Sequence, residues 1–291
     1  MSESISIMPK VLIRIITSGY DWDNVVFIRD NEILFDGYTI SGVVVIKILN
    51  TYNSLPLNFI NCTFTAEISI ESFGNSSQLQ FNHCTFKGKI TFKGLSKQVV
   101  FADNCLFSQA VHISGGTGLS IIISDAELHS SLVISGSSMH CIIGKINKGS
   151  AKKGSIEFQR GQIRNLLLSG INVTSVKFTG HACNQDDAQL TGLDVDKLEF
   201  NHFTLGGVLK IYASGIKDLL FDNIEGKKKG LRSLKHPFPV ARFALHMLET
   251  TAITDCHTIN TLNLWGTNGT DGAFSVTRSV ISELQFENVL K

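Results

Sequence analysis

Short apolar pairs recur along this chain with one polar residue between their members. Leu57/Phe59, Leu79/Phe81, Val99/Phe101 and Ile121/Ile123 form one series. Ile68/Ile70, Ile90/Phe92, Val111/Ile113 and Leu132/Ile134 form a second. A third is set by Cys62, Cys84, Cys105 and Ala126, each followed two residues on by Phe64, Phe86, Phe107 or Leu128. Alternation with period two marks a strand with one buried face. The Cys62-to-Cys84 step is 22 residues and the Cys84-to-Cys105 step 21. Gly, Asn, Ser, Asp and Lys fill the spaces between pairs, as turns require. Each unit of about 21 residues therefore holds three very short strands, none able to bury its own apolar face. Stacking coil on coil solves that, because every inward residue then meets its copy one coil away. The pattern predicts an all-β, parallel β-solenoid of about ten coils.

Later positions extend the series. Ile143, Leu168, Phe200, Phe221, Leu264 and Phe286 are matched to Phe59. Ile156/Phe158, Val176/Phe178 and Leu209/Ile211 are matched to Ile68/Ile70, and Phe35 with Ile46/Ile48 to an earlier coil. The spacing and the stacked Asn, Cys and Phe positions over residues 33–291 resemble the right-handed parallel β-helix, or pectin-lyase-like, architecture. Right-handedness is what that resemblance implies. Residues 1–32 are expected to cap the first coil, with Trp22 as a cover.

Three stretches break the repeat, at 145–155, 179–197 and 225–258. The last holds a run, 240–250, in which Phe243 and Met247 recur at helical spacing, and a short amphipathic helix is expected there. Function on solenoids concentrates in such breaks. In the second, Asp186 and Asp187 with nearby His181 are the candidates for acid–base chemistry on a sugar bond, the use that β-helix enzymes of the resembling architecture make of clustered aspartates. Neighbouring residues of an extended segment point opposite ways, however, and no catalytic motif accompanies them. In the third, Lys227, Lys228, Lys229, Arg232 and Lys235 form a dense basic run, and with Phe243 they are the candidate binding residues.

Charge and composition narrow the classes. Hydrophobic residues make up 43% and charged residues 18%, which suits a folded chain. The net charge of +1 gives no general attraction to nucleic acid. Six cysteines show no metal-type spacing, so neither metal nor cofactor is expected. No signal segment or apolar run of about 20 residues is found, and a cytoplasmic protein with no membrane partner is expected. Export by a non-classical route or a place in a virion would leave the same sequence. The reading that follows is a non-enzymatic macromolecule-binding or scaffold protein, its partner a protein or a second copy meeting an open solenoid end. A carbohydrate-active lyase or hydrolase on polysaccharide is the alternative. A bacterial effector or phage accessory protein engaging a host component is a second alternative.

Overall fold

Phe35, Phe59, Phe81 and Phe101 lie one above another, with ring centroids 4.8 to 5.1 Å apart and planes within 16° of parallel. That is the spacing of hydrogen-bonded strands, so each ring stacks on its copy in the next coil. The computed structural model describes side chains for residues 33–46, 56–71, 78–95, 97–115, 118–136, 139–147, 154–179, 188–201 and 220, and beyond these the backbone of further strands. Those residues form strands only, with parallel pairing throughout except one antiparallel contact, Phe27–Arg29 on Glu32–Asp36. The protein is a parallel β-solenoid.

The register gives the coil directly. From Phe35 the column runs through Phe59, Phe81, Phe101, Ile123, Ile143, Leu168 and Leu190. Backbone register carries it on through Ile211, Phe243, Leu264 and Phe286. The steps are 24, 22, 20, 22, 20, 25 and 22 residues, then 21, 32, 21 and 22. Eleven steps at about 4.8 Å make a rod of about 50 Å.

Two further inward columns close the coil. Val44/Ile46, Ile68/Ile70, Ile90/Phe92, Val111/Ile113, Leu132/Ile134 and Ile156/Phe158 form one. Its first members are Val44 and Ile46, two residues before the pair expected from the sequence. Cys62/Phe64, Cys84/Phe86 and Cys105/Phe107 begin the other, with Phe64, Phe86 and Phe107 stacked 5.0 and 5.3 Å apart. Within each coil the two phenylalanine stacks meet edge to face, as for Phe101 and Phe107 at 85°. The thiols sit at the corner, Cys84 donating to the Phe59 carbonyl at 3.3 Å and Cys105 to that of Phe81 at 3.3 Å. Cysteine is small enough for that corner and its weak S–H donor is satisfied there.

The residue before each of these corner positions is Gly37, Asn61, His83, Asn104, Asp125, Lys145, Gly170 or Gly192, and all eight have φ between 48° and 76°. This left-handed bend favours Gly, Asn and Asp. The pairing skips the bent residue, as at Asp125 and Lys145. Ser131–Lys148 and Ser155–Thr179 run on as single strands of 18 and 25 residues, where separate short strands were expected.

The structure reassigns several positions. Phe200 stacks on Phe178 at 4.7 Å, and Phe178 on Phe158 at 4.7 Å, so Phe200 belongs to the Ile70 column. Phe221 follows it in register. Leu209 and Ile211 pair with Ala188 and Leu190 and belong to the Phe59 column. With Leu168 over Leu190, residues 179–197 make up a coil of ordinary length and hold no insertion of about a dozen residues. Leu132 and Ile156, register partners on either side of the break at 145–155, are 24 residues apart.

The helix expected over 240–250 is replaced by strands Ala241–Met247 and Thr250–Thr254. The segment A-R-F-A-L-H-M alternates as well as it spirals, with Ala241, Phe243, Leu245 and Met247 two apart. Strands Leu209–Asp222 and Ile259–Trp265 pair with it on either side, satisfying backbone groups that a solenoid edge would otherwise expose. The 32-residue step from Ile211 to Phe243 therefore confines the third break's extra length to the part before Ala241. Of the expected cap, Ile5–Ile7 lies along Tyr38–Ile40 and Phe27–Arg29 along Glu32–Asp36. Trp22 is outside the described residues.

Candidate interaction face

Between the inward residues of the Phe59 column stand the outward ones, brought into line by the same register. One outward column is Asn58, Gln80, Val100, Ile122, Ile142, Leu167 and Gln189. Two residues further along each strand come Ile60, Asn82, Ala102, Ser124, Gly144, Ser169 and Thr191. Across these seven rungs neither of the two columns holds Asp, Glu, Lys or Arg, although Asp103, Asp125 and Lys145 stand one residue beyond the second column. The four middle residues of the first column are aliphatic and form a ridge. Ile142 is 38% exposed, and Val100, Ile122 and Leu167 are half-buried against one another. The second column is made of small side chains beside that ridge, from Ala102 to Ser169, so the surface is a low step with no projecting chain.

The neighbouring face, outside the Ile70 column, has the opposite character. Lys93 pairs with Glu71 of the preceding rung at 3.5 Å. Lys177 and Lys197 reach Glu199 at 3.3 and 2.9 Å, and Thr179 donates to Glu157 at 3.1 Å. Glu199 is the one buried charged residue among those described. Burial raises its pKa, but hydrogen bonds and charge from Lys197 and Lys177 outweigh that and hold the carboxyl below its ordinary range. Charge is thus plentiful on one face and missing from these two columns of the other.

The cysteines with described side chains, Cys62, Cys84, Cys105 and Cys141, are all free and buried in the interior. Burial pushes the Cys105 thiol up to about 11 and Cys141 to about 12. Cys84 is raised by the hydrogen bond it shares with Cys62 and then by burial. These three raised thiols are packing groups, while the hydrogen bond with Cys84 shifts Cys62 the other way, below its ordinary value.

Of the residues picked out from the sequence, His181, Asp186 and Asp187 lie outside the described residues, as do Lys227, Lys228, Lys229, Arg232 and Lys235. Phe243 falls on strand Ala241–Met247, between Ile211 and Leu264 in register. It holds the position that Phe59 and Phe81 hold in earlier coils, which is not that of a helix-borne contact. The uncharged face went unnoticed in the sequence. Its signal is there, in the residues between the members of each apolar pair, once the rungs are aligned.

The fold defines the class: a parallel β-solenoid, or β-helix, repeat protein. Comparison with protein-family models, curated proteins and solved structures finds no match.

Proposed function

We propose that the protein is a non-enzymatic macromolecule-binding scaffold, and that the uncharged face is its contact surface. One observation carries this: seven successive rungs hold no charge in either of two outward columns while an aliphatic ridge runs through their middle. Solvated faces of a chain with 18% charged residues are expected to carry charge, as the adjacent face does. Loss of charge at the centre of a surface patch is the compositional mark of a protein interface. The rigid ladder beneath the patch keeps it preorganised, which lowers the ordering cost of binding.

The test is affinity capture from a lysate of the source cells with tagged wild type and with Ile122→Lys/Ile142→Lys. Wild type is expected to retain a macromolecule in stoichiometric amount, another protein or untagged copies of the chain, and the double variant to lose it. Both side chains point outward, so the variant should keep its fold, which circular dichroism checks. Equal retention by the two proteins, or none by wild type together with no self-association of the purified chain at high concentration, would overturn the reading.

A further inference from the structure

Resting on that reading of the face, we infer that its occupant is a second copy of this chain, docked antiparallel across the aliphatic ridge. A two-fold interface places a patch against itself, so any charge near its middle meets a like charge or must be paired by symmetry. The two columns carry no charge, and the charges just beyond them at the middle rungs, Asp125 and Lys145, are of opposite sign. Sheets pack face to face about 10 Å apart through such side chains.

The ends of the patch select the orientation. Asp36 is exposed one rung before Asn58/Ile60, in the column of Ile60. Beyond Gln189 the backbone register of the other column continues to Lys210 and then Arg242. The ridge Val100–Ile122–Ile142–Leu167 is centred between the rungs of Ile122 and Ile142. A two-fold axis there sets the Asp36 rung of one copy against the Arg242 rung of the other, both four and a half rungs from the axis. An anionic end then meets a cationic one. Parallel docking would set Asp36 against Asp36.

Size sets the strength. Seven rungs span about 29 Å, and two outward columns with their side chains are about 14 Å wide, giving roughly 400 Å² per copy, half a standard interface. The dimer is therefore weak and forms only at high concentration.

Sedimentation equilibrium of the purified full chain, from about 5 to about 500 μM, tests this, because weak interfaces populate in that range. Wild type is expected to pass from monomer to dimer. Ile122→Lys/Ile142→Lys should weaken the dimer at least about tenfold, a loss of about 1.4 kcal/mol. Val133→Lys, a matching outward change on the charged face, should leave association unchanged. Asp36→Asn should weaken antiparallel docking a few-fold, whereas it would strengthen a parallel dimer by removing a like-charge contact. Monomer throughout, or a dimer indifferent to the double variant, overturns the inference. If the double variant nonetheless abolishes capture from lysate, the contact-face reading stands and its occupant is a different protein. If capture is also unaffected, both fail.

Discussion

Phe81→Ala is expected to lower stability by about 3–5 kcal/mol in denaturant-induced unfolding. Phe81 is fully buried and stacks on Phe59 and on Phe101, each at 5.1 Å. It also meets Phe86 edge-on at 5.4 Å and Phe64 at 6.2 Å. Removing the ring takes away its transfer free energy and leaves a cavity that its neighbours cannot close. Each of them is held at its own rung by ladder hydrogen bonds, so collapse would require breaking register. The loss should therefore sit near the upper end of what buried aromatics show. Because coils contact only their neighbours, the damage should be local, and exchange of backbone amides should speed up most in residues 57–107. A loss below about 1 kcal/mol would mean that the phenylalanine stack is not as tight as described.

Gly161→Ala should lower the thermal midpoint by roughly 3 °C or more, from about 2 kcal/mol of overpacking. A Cβ at Gly161 would lie 1.9 Å from the Gly136 carbonyl oxygen and 2.9 Å from its carbon. Both obstacles are backbone of the preceding rung, so no rotamer change relieves the clash. Gly115, Gly136 and Gly161 are in register, a turn where three rungs nest without side chains. Gly144→Ala is the control. Its Cβ would find only the Ser169 oxygen, at 3.7 Å, and should leave the midpoint within about 2 °C. Equal effects from the two substitutions would argue against the nested turn.

The first five coils were legible in the sequence because their steps are nearly constant and their inward residues distinctive. Phe59, Phe81 and Phe101, or Cys62, Cys84 and Cys105, can be aligned only one way. Beyond Ile143 the steps vary from 21 to 32 residues, and both main columns use Leu, Ile and Phe. Phe200 then fits either column by hydrophobicity. Only its stacking on Phe178 decides, and a wrong match creates an insertion where a regular coil exists. The run from Ala241 to Met247 satisfied two periodicities at once, and the choice between them was made by strands 32 residues earlier and 21 later, beyond any local window. The column Asn61, His83, Asn104 and Asp125 was visible as polar, but its cause is a left-handed bend that a residue name does not record. Breaks in the repeat drew the search for function toward Asp186 and Lys227, while the uncharged face is built from the most regular part of the chain.

The last rung of the face, and the register that continues it to Lys210 and Arg242, exist only if Leu168 stands over Leu190. Cross-linking of paired cysteines tests this most directly, in a background with Cys183 and Cys256 changed to Ser. The remaining native thiols, Cys62, Cys84, Cys105 and Cys141, are buried. Ser169 and Thr191 are outward register partners, about 4.8 Å apart along the rod. Ser169→Cys/Thr191→Cys should be joined efficiently by a short thiol cross-linker, and Ser169→Cys/Asn201→Cys should not, as read by mass spectrometry of the digested protein. The reverse result would mean that residues 179–197 are an insertion after all, and would contradict the seven-rung face.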